Sequence, residues 1–168
     1  MKILRVLYYG AIYLPLIIIH PQSEQPDSIV IKEISLGGLS EIIKNRNGKG
    51  LLINIWATWC LPCREEFPGL IRLSDKYKDK IDVVGISVDY PDEVESKIYP
   101  FLNKYQVSFI NYVNEEKDAE EFINFLNGEW SGAIPASFIY DSDGNQLEFM
   151  IGKKSFKEFE EAVLNYFN

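Results

Sequence analysis

Residues Leu51 to Trp56 form a continuous apolar run broken only by Asn54, and shortly after it come two cysteines three apart, Cys60 and Cys63. An apolar run without alternation suits a central strand covered on both faces. A stretch with helical periodicity follows, reaching about Tyr77, with Phe67, Leu70, Ile71, Ser74 and Tyr77 on its spacings. A buried strand that leads through Cys-x-x-Cys into a helix points to an α/β domain with its dithiol at a helix N-terminus.

The rest of the chain keeps alternating. Ile29–Ile34 reads as a short strand, Leu39–Asn45 as a short helix, and Asn47-Gly48-Lys49-Gly50 as a turn. Ile81–Val88 is a second buried strand. Val94, Ile98, Leu102 and Tyr105 share one helical face, and Pro100 kinks that helix or starts it. Val107–Val113 reads as a strand, and Ala119, Phe122, Ile123 and Leu126 mark a helix ended by Gly128. Ala136–Tyr140 and Gln146–Ile151 flank Asp141-Ser142-Asp143-Gly144 as a hairpin. Phe156, Phe159, Val163 and Phe167 form the inward stripe of a last helix. The crossovers require parallel strands and the hairpin antiparallel ones, so the sheet is mixed.

The N-terminus reads separately. Lys2 and Arg5 precede an apolar run from Val6 to Ile19, and polar residues follow. Residues 1–20 are therefore read as a signal peptide or an uncleaved membrane anchor, and both place the rest outside the cytoplasm. Residues 21–28, with Pro21 and Pro26, are a linker, and 29–168 are one domain. The net charge of −8 repels phosphate backbones, so nucleic acid is not an expected partner. Nothing points to an oligomer, and a monomer is expected.

The two cysteines are the only ones in the chain, so the fold must be held by packing rather than by disulfide staples. At a helix N-terminus the unpaired backbone N–H groups favour a thiolate, the nucleophile of disulfide exchange. Cys60 would attack a partner's disulfide and Cys63, one turn inward, would resolve the mixed disulfide. Pro62 fits the first helical turn because it lacks an N–H. No cofactor is expected beyond the cysteine pair itself. Structural zinc would need about four ligands, and only two thiols exist. His20, the sole histidine, lies in the N-terminal segment.

The stretch Asn54-Ile55-Trp56-Ala57-Thr58-Trp59-Cys60-Leu61-Pro62-Cys63-Arg64-Glu65-Glu66-Phe67-Pro68, with the later Ile134-Pro135-Ala136-Ser137-Phe138-Ile139-Tyr140-Asp141, resembles the thioredoxin superfamily, and more closely its TlpA/ResA-like extracytoplasmic branch. The resemblance covers nearly all of 29–168. It implies a thioredoxin-like α/β/α sandwich with an inserted strand–helix unit between the Val88 strand and Pro135. It implies that Pro135 is a cis-proline facing the active-site disulfide, with Ile134 before it. Ala136 departs from the threonine often found at that place.

Glu66 matches a glutamate that lies near the cysteines in this branch. A buried carboxylate there could carry the proton of Cys63. From spacing alone Glu66 also reads as a solvated helix residue beside Glu65 and Arg64. Asn54 stands where cytoplasmic thioredoxins place a buried acid, and it cannot titrate. The candidate catalytic residues are thus Cys60, Cys63 and Glu66. The candidate substrate contacts are Trp59, Leu61, Pro62, Ile134 and Pro135. Trp56 reads as core, while Trp130 reads equally as a wall of the groove or as packing.

Leu61-Pro62 brings no cation or imidazole to the thiolate, which argues for a reductant of protein disulfides. The branch implies a membrane thiol–disulfide donor, and clients that include apocytochromes c. Three rivals carry other requirements. A peroxidase of peroxiredoxin type needs a proline ahead of Thr58, and none lies in Leu51–Trp59. A copper module needs a histidine with the thiols. A redox-silent adaptor has no need of both cysteines.

Overall fold

The computed structural model describes residues 31–167. In chain order the elements are β1 (Lys32–Ile34), α1 (Leu36–Lys44), β2 (Gly50–Trp56), α2 (Leu61–Tyr77), β3 (Ile81–Ser87), α3 (Tyr99–Tyr105), β4 (Ile110–Asn114), α4 (Ala119–Leu126), β5 (Ala136–Tyr140), β6 (Gln146–Ile151) and α5 (Phe156–Tyr166). The strands form one sheet in the order β1-β4-β3-β2-β5-β6. Strands β1 to β4 pair in parallel, β5 pairs antiparallel with β2, and β6 closes that side antiparallel to β5.

Side chains alternate across the pleat, so each strand feeds two cores. Leu52 and Trp56 of β2 join Phe67, Leu70 and Leu73 of α2, Phe101 and Leu102 of α3, and Phe159 and Val163 of α5. Leu51, Ile53 and Ile55 join Leu39 and Ile43 of α1 and Phe122 and Leu126 of α4 on the other face. The result is the expected α/β/α sandwich with a mixed sheet. β4 and α4 are the expected inserted unit, and β4 enters the sheet between β1 and β3.

Polar side chains at the helix ends set several boundaries. Ser35 Oγ accepts from Gly38 N at 3.2 Å, so α1 starts at Leu36, three residues before the sequence reading. Asp118 caps α4 and Ser155 forms a capping box with Glu158 on α5. Asn127 rather than Gly128 ends α4: its backbone is extended and its side chain accepts from Glu129 N at 2.8 Å.

Pro100 lies in the first turn of α3 and is preceded by a short 3₁₀ turn, Pro91–Glu93, and a π-helical segment, Val94–Ile98. Without a Pro100 N–H the α-helical ladder cannot continue through it, and the backbone widens upstream. Gln106, in the left-handed region at φ 50°, then ends α3. That turn delays β4 to Ile110, although Val107 and Phe109 are already buried. On α2, Leu73 takes the buried place expected of Ser74. No described helix is long and apolar enough to cross a membrane. The readings of 1–20 and 21–28 lie outside the described residues.

Candidate active site

β2 ends at Trp56, and four residues later Cys60 caps α2. Cys60 Sγ accepts from Cys63 N at 3.2 Å. The two cysteines form a disulfide with Cα atoms 5.3 Å apart. Cys60 is 6% exposed and Cys63 is fully buried. An incoming sulfur can therefore reach Cys60 and not Cys63. The Cys63 N–H in the first turn of α2 is aimed at the Cys60 sulfur, where a thiolate would develop on reduction.

The loop that presents Cys60 is held by a residue the sequence reading missed. Asp89, just beyond β3, accepts from Thr58 N at 2.8 Å and from Thr58 Oγ1 at 2.6 Å. It also accepts from Ser87 Oγ at 2.6 Å. Asp89 is buried and so fixes the strand-to-helix corner from the neighbouring strand. The available signal was an acid at the carboxyl end of a buried parallel strand, beside the crevice where such sheets bind ligands.

Glu66, one turn beyond Cys63, is 2% exposed. It is thus a buried carboxylate and not a solvated one. Its Oε1 accepts from Asn54 Nδ2 at 2.7 Å and its Oε2 from Lys154 N at 3.0 Å. Burial pushes its pKa up to about 7, against the pull of those two hydrogen bonds and of the Lys154 and Lys153 charges. A group with this pKa exchanges protons readily near neutrality.

The Ile134–Pro135 peptide bond is cis, and Pro135 O accepts from Gly152 N at 2.8 Å. The same short segment, 152–154, therefore touches both the proline and Glu66. Trp59 is 66% exposed and lines a groove of about 300 Å³ with Val88, Ile134 and, from the inserted unit, Phe122 and Ile123. Trp130 also lines this groove, but it is buried and its Nε1 donates to Ala133 O at 2.9 Å. Its ring closes the domain and forms the groove wall at once.

Leu61 and Pro62 are exposed on the first turn of α2 and lie outside that groove. A wider cavity, of about 500 Å³, opens near Arg46, Ile81 and Asp82. It lies at the amino ends of β2 and β3, and the cysteines follow the carboxyl end of β2. Among the described residues no three His, Cys, Asp or Glu side chains cluster as metal ligands would.

A family model described as AhpC/TSA family matches residues 25–146. The thiol-disulfide oxidoreductase ResA of Bacillus cereus (strain ZK / E33L) is 30% identical over 139 residues, covering 82% of this chain and 73% of the relative. The thioredoxin-like protein YneN of Bacillus subtilis (strain 168) is 27% identical over 130 residues, covering 77% of this chain and 72% of the relative. A solved thiol:disulfide interchange protein of the thioredoxin family from Chlorobium tepidum TLS superposes with a TM-score of 0.60 at 26% identity, over 75% of this chain and 83% of that one.

Proposed function

The chain belongs to the AhpC/TSA family and is a thiol–disulfide oxidoreductase, and we propose that it works as a protein-disulfide reductase outside the cytoplasm. The observation that carries the reading is the asymmetry of the pair: Cys60 is reachable at the N-terminus of α2, and Cys63 is sealed beneath it. In the reduced enzyme the Cys60 thiolate attacks one sulfur of a client disulfide, and the other client sulfur leaves as a thiolate. Cys63 then loses its proton and attacks Cys60 Sγ. This closes the Cys60–Cys63 disulfide and releases the second client thiol. Two electrons pass to the client. Glu66 takes the Cys63 proton.

Trp59, Leu61 and Pro62 on one side and Ile134 on the other form the docking surface, and Pro135, itself buried, shapes the backbone behind it. The direction rests on Leu61-Pro62, which supplies no cation or imidazole to hold the Cys60 thiolate. Such a centre falls nearer the ~−270 mV of thioredoxin than the ~−120 mV of a strong oxidant. The location rests on Lys2, Arg5 and the apolar run Val6–Ile19. A membrane thiol–disulfide protein would return electrons to the pair. Apocytochromes c with oxidised haem-attachment cysteines are the client class carried over from the resemblance.

A peroxidase of peroxiredoxin type would need a proline ahead of Thr58, and none lies in Leu51–Trp59. Peroxide-dependent consumption of thiols distinguishes the two activities. The decisive experiment traps clients with Cys63→Ala, which stalls the mixed disulfide on Cys60, together with a redox titration of the wild type against glutathione. A midpoint close to that of strong oxidants would overturn the reductase direction. Normal resolution kinetics in Glu66→Gln would remove Glu66 from the proton step.

A further inference from the structure

Asn54 is fully buried on β2, opposite Ser137 on β5, and both side chains lie on the face of the sheet that α2 covers. Its Nδ2 donates to Glu66 Oε1 at 2.7 Å and to Ser137 Oγ at 3.0 Å. Its Oδ1 is buried with no hydrogen-bond partner. An amide nitrogen facing the carboxyl suits the ionised Glu66, which offers only acceptors. It does not suit the acid. Once Glu66 is protonated, its O–H needs an acceptor, and the two groups now touching it are both donors, Asn54 Nδ2 and the backbone N–H of Lys154. The N–H of Lys154 belongs to the main chain and cannot reverse. The orphaned acceptor on the Asn54 side chain can.

We infer that Asn54 is a positioning residue whose side-chain amide makes a half-turn when Glu66 takes up a proton, presenting Nδ2 to the carboxylate and Oδ1 to the acid. The half-turn re-forms both contacts with reversed polarity. Glu66 Oε1–H donates to Asn54 Oδ1, and the Ser137 hydroxyl, which now accepts, donates to the same oxygen. Neither protonation state of Glu66 then loses its partner on β2. A fixed donor would favour the anion alone and a fixed acceptor the acid alone. A rotating amide serves both, which suits a group that must take up and release a proton in every cycle, near the pKa of about 7 that burial gives it. The proton balance is closed, since the proton stays on Glu66 throughout and Asn54 only reorients.

The charged groups that act on Glu66 are Lys153 and Lys154, from the segment after β6. Lys153 is shared with Glu65 at 2.7 Å. On α2 the other ionisable neighbours in sequence are Arg64 and, in the reduced protein, the two thiols. β2 brings the uncharged Asn54 to the carboxyl, and the uncharged Ser137 of β5 meets Asn54 behind it. In the oxidised protein the thiols are absent as titrating groups, so Glu66 titrates there without them.

This inference rests on the reading of Glu66 as the proton carrier, and the oxidised protein separates the two. In it, the Glu66 carboxyl carbon and the Asn54 side-chain amide are followed by NMR between pH 4 and pH 9. The expected result is a single shared midpoint, with the Asn54 Nδ2 protons losing their hydrogen-bonded shifts as Glu66 is protonated. In Glu66→Gln the Asn54 signals should not move with pH. In Asn54→Leu both contacts are lost together, so the Glu66 midpoint should move by less than the roughly tenfold gain in proton affinity that loss of a fixed donor to the anion alone would give. If that variant does not fold, Asn54→Ala or the wild-type titration alone decides. Asn54 signals that stay constant while Glu66 titrates would overturn the inference. Unchanged client reduction by Glu66→Gln would instead remove the proton-carrier reading and leave the amide measurement standing.

Discussion

The Asp89 carboxylate holds Thr58 by both its backbone N–H and its hydroxyl, at 2.8 and 2.6 Å, and so ties the corner that presents Cys60 to the end of the neighbouring strand. The carboxylate has three donors around it, with Ser87 Oγ the third. Truncating it leaves those donors in a site with little water, and each unsatisfied group costs about 1–3 kcal/mol. Asp89→Ala should lower stability by about 3 kcal/mol in urea unfolding of the oxidised protein and slow client reduction. Asp89→Asn keeps one acceptor and should lose less. An alanine variant within about 0.5 kcal/mol of wild type would show that the corner holds without this clamp.

Glu66 links stability to pH with a definite sign. Its folded pKa of about 7 stands above its ordinary value of 4.5, so between those values the folded chain binds more protons than the unfolded one. Stability therefore falls as pH rises through that window, by up to about 3 kcal/mol for a shift of this size. Glu66→Gln removes the titration. Urea unfolding of both proteins at pH 4 and pH 8 should show the difference between them moving in favour of the glutamine variant at the higher pH. A difference that stays constant across the window would mean that Glu66 does not titrate as a buried acid.

Gly85 of β3 lies opposite Asn54 on the crowded face beneath α2. A Cβ there would overlap Asn111 Oδ1 and press on Trp56 Nε1 at 3.1 Å. Asn111 is buried and donates to Phe109 O at 3.0 Å, so it has little room to yield. Gly85→Ala should cost about 2 kcal/mol or more, as overpacking of a filled core does. A thermal midpoint equal to wild type would show that Asn111 swings aside freely.

Much of this was legible before any coordinates, for reasons that differ by residue. Cys60 and Cys63 stand out because their spacing and the strand before them are local facts. The β5–β6 hairpin is equally local, with Gly144 at φ 85° in its turn. Glu66 was ambiguous because burial of one helix residue depends on what packs over it. Here that is Lys154, 88 positions away. Asp89 escaped notice because its partner Thr58 lies 31 positions off and meets it only across the paired ends of β2 and β3. The start of β4 was misplaced because Val107 and Phe109 are as apolar as strand residues, and only the left-handed Gln106 ahead of them breaks the pattern. Residues read as core by periodicity were mostly right; Asp89, whose role comes from a distant contact, went unread.

Trp59 separates docking from chemistry. Its ring is 66% exposed beside a nucleophile that is nearly covered, and it lines a groove shared with Ile134, the residue before the cis-proline. A large aromatic side chain left in water next to a reactive sulfur gains its contacts only when a client arrives, and such residues carry a large part of binding energy at interfaces. Trp59 is not among the residues of the helix N-terminus that hold the Cys60 sulfur, so its removal leaves that environment intact. Trp59→Ala should therefore lower kcat/KM for a protein disulfide by about 10- to 100-fold, equivalent to roughly 1.4–2.7 kcal/mol. The reduction potential and the rate with a small aromatic disulfide should stay near wild type. Equal losses on both substrates would place Trp59 in the chemistry of Cys60 itself, and no loss on either would leave client docking to the Leu61-Pro62 turn and the Pro135 strand.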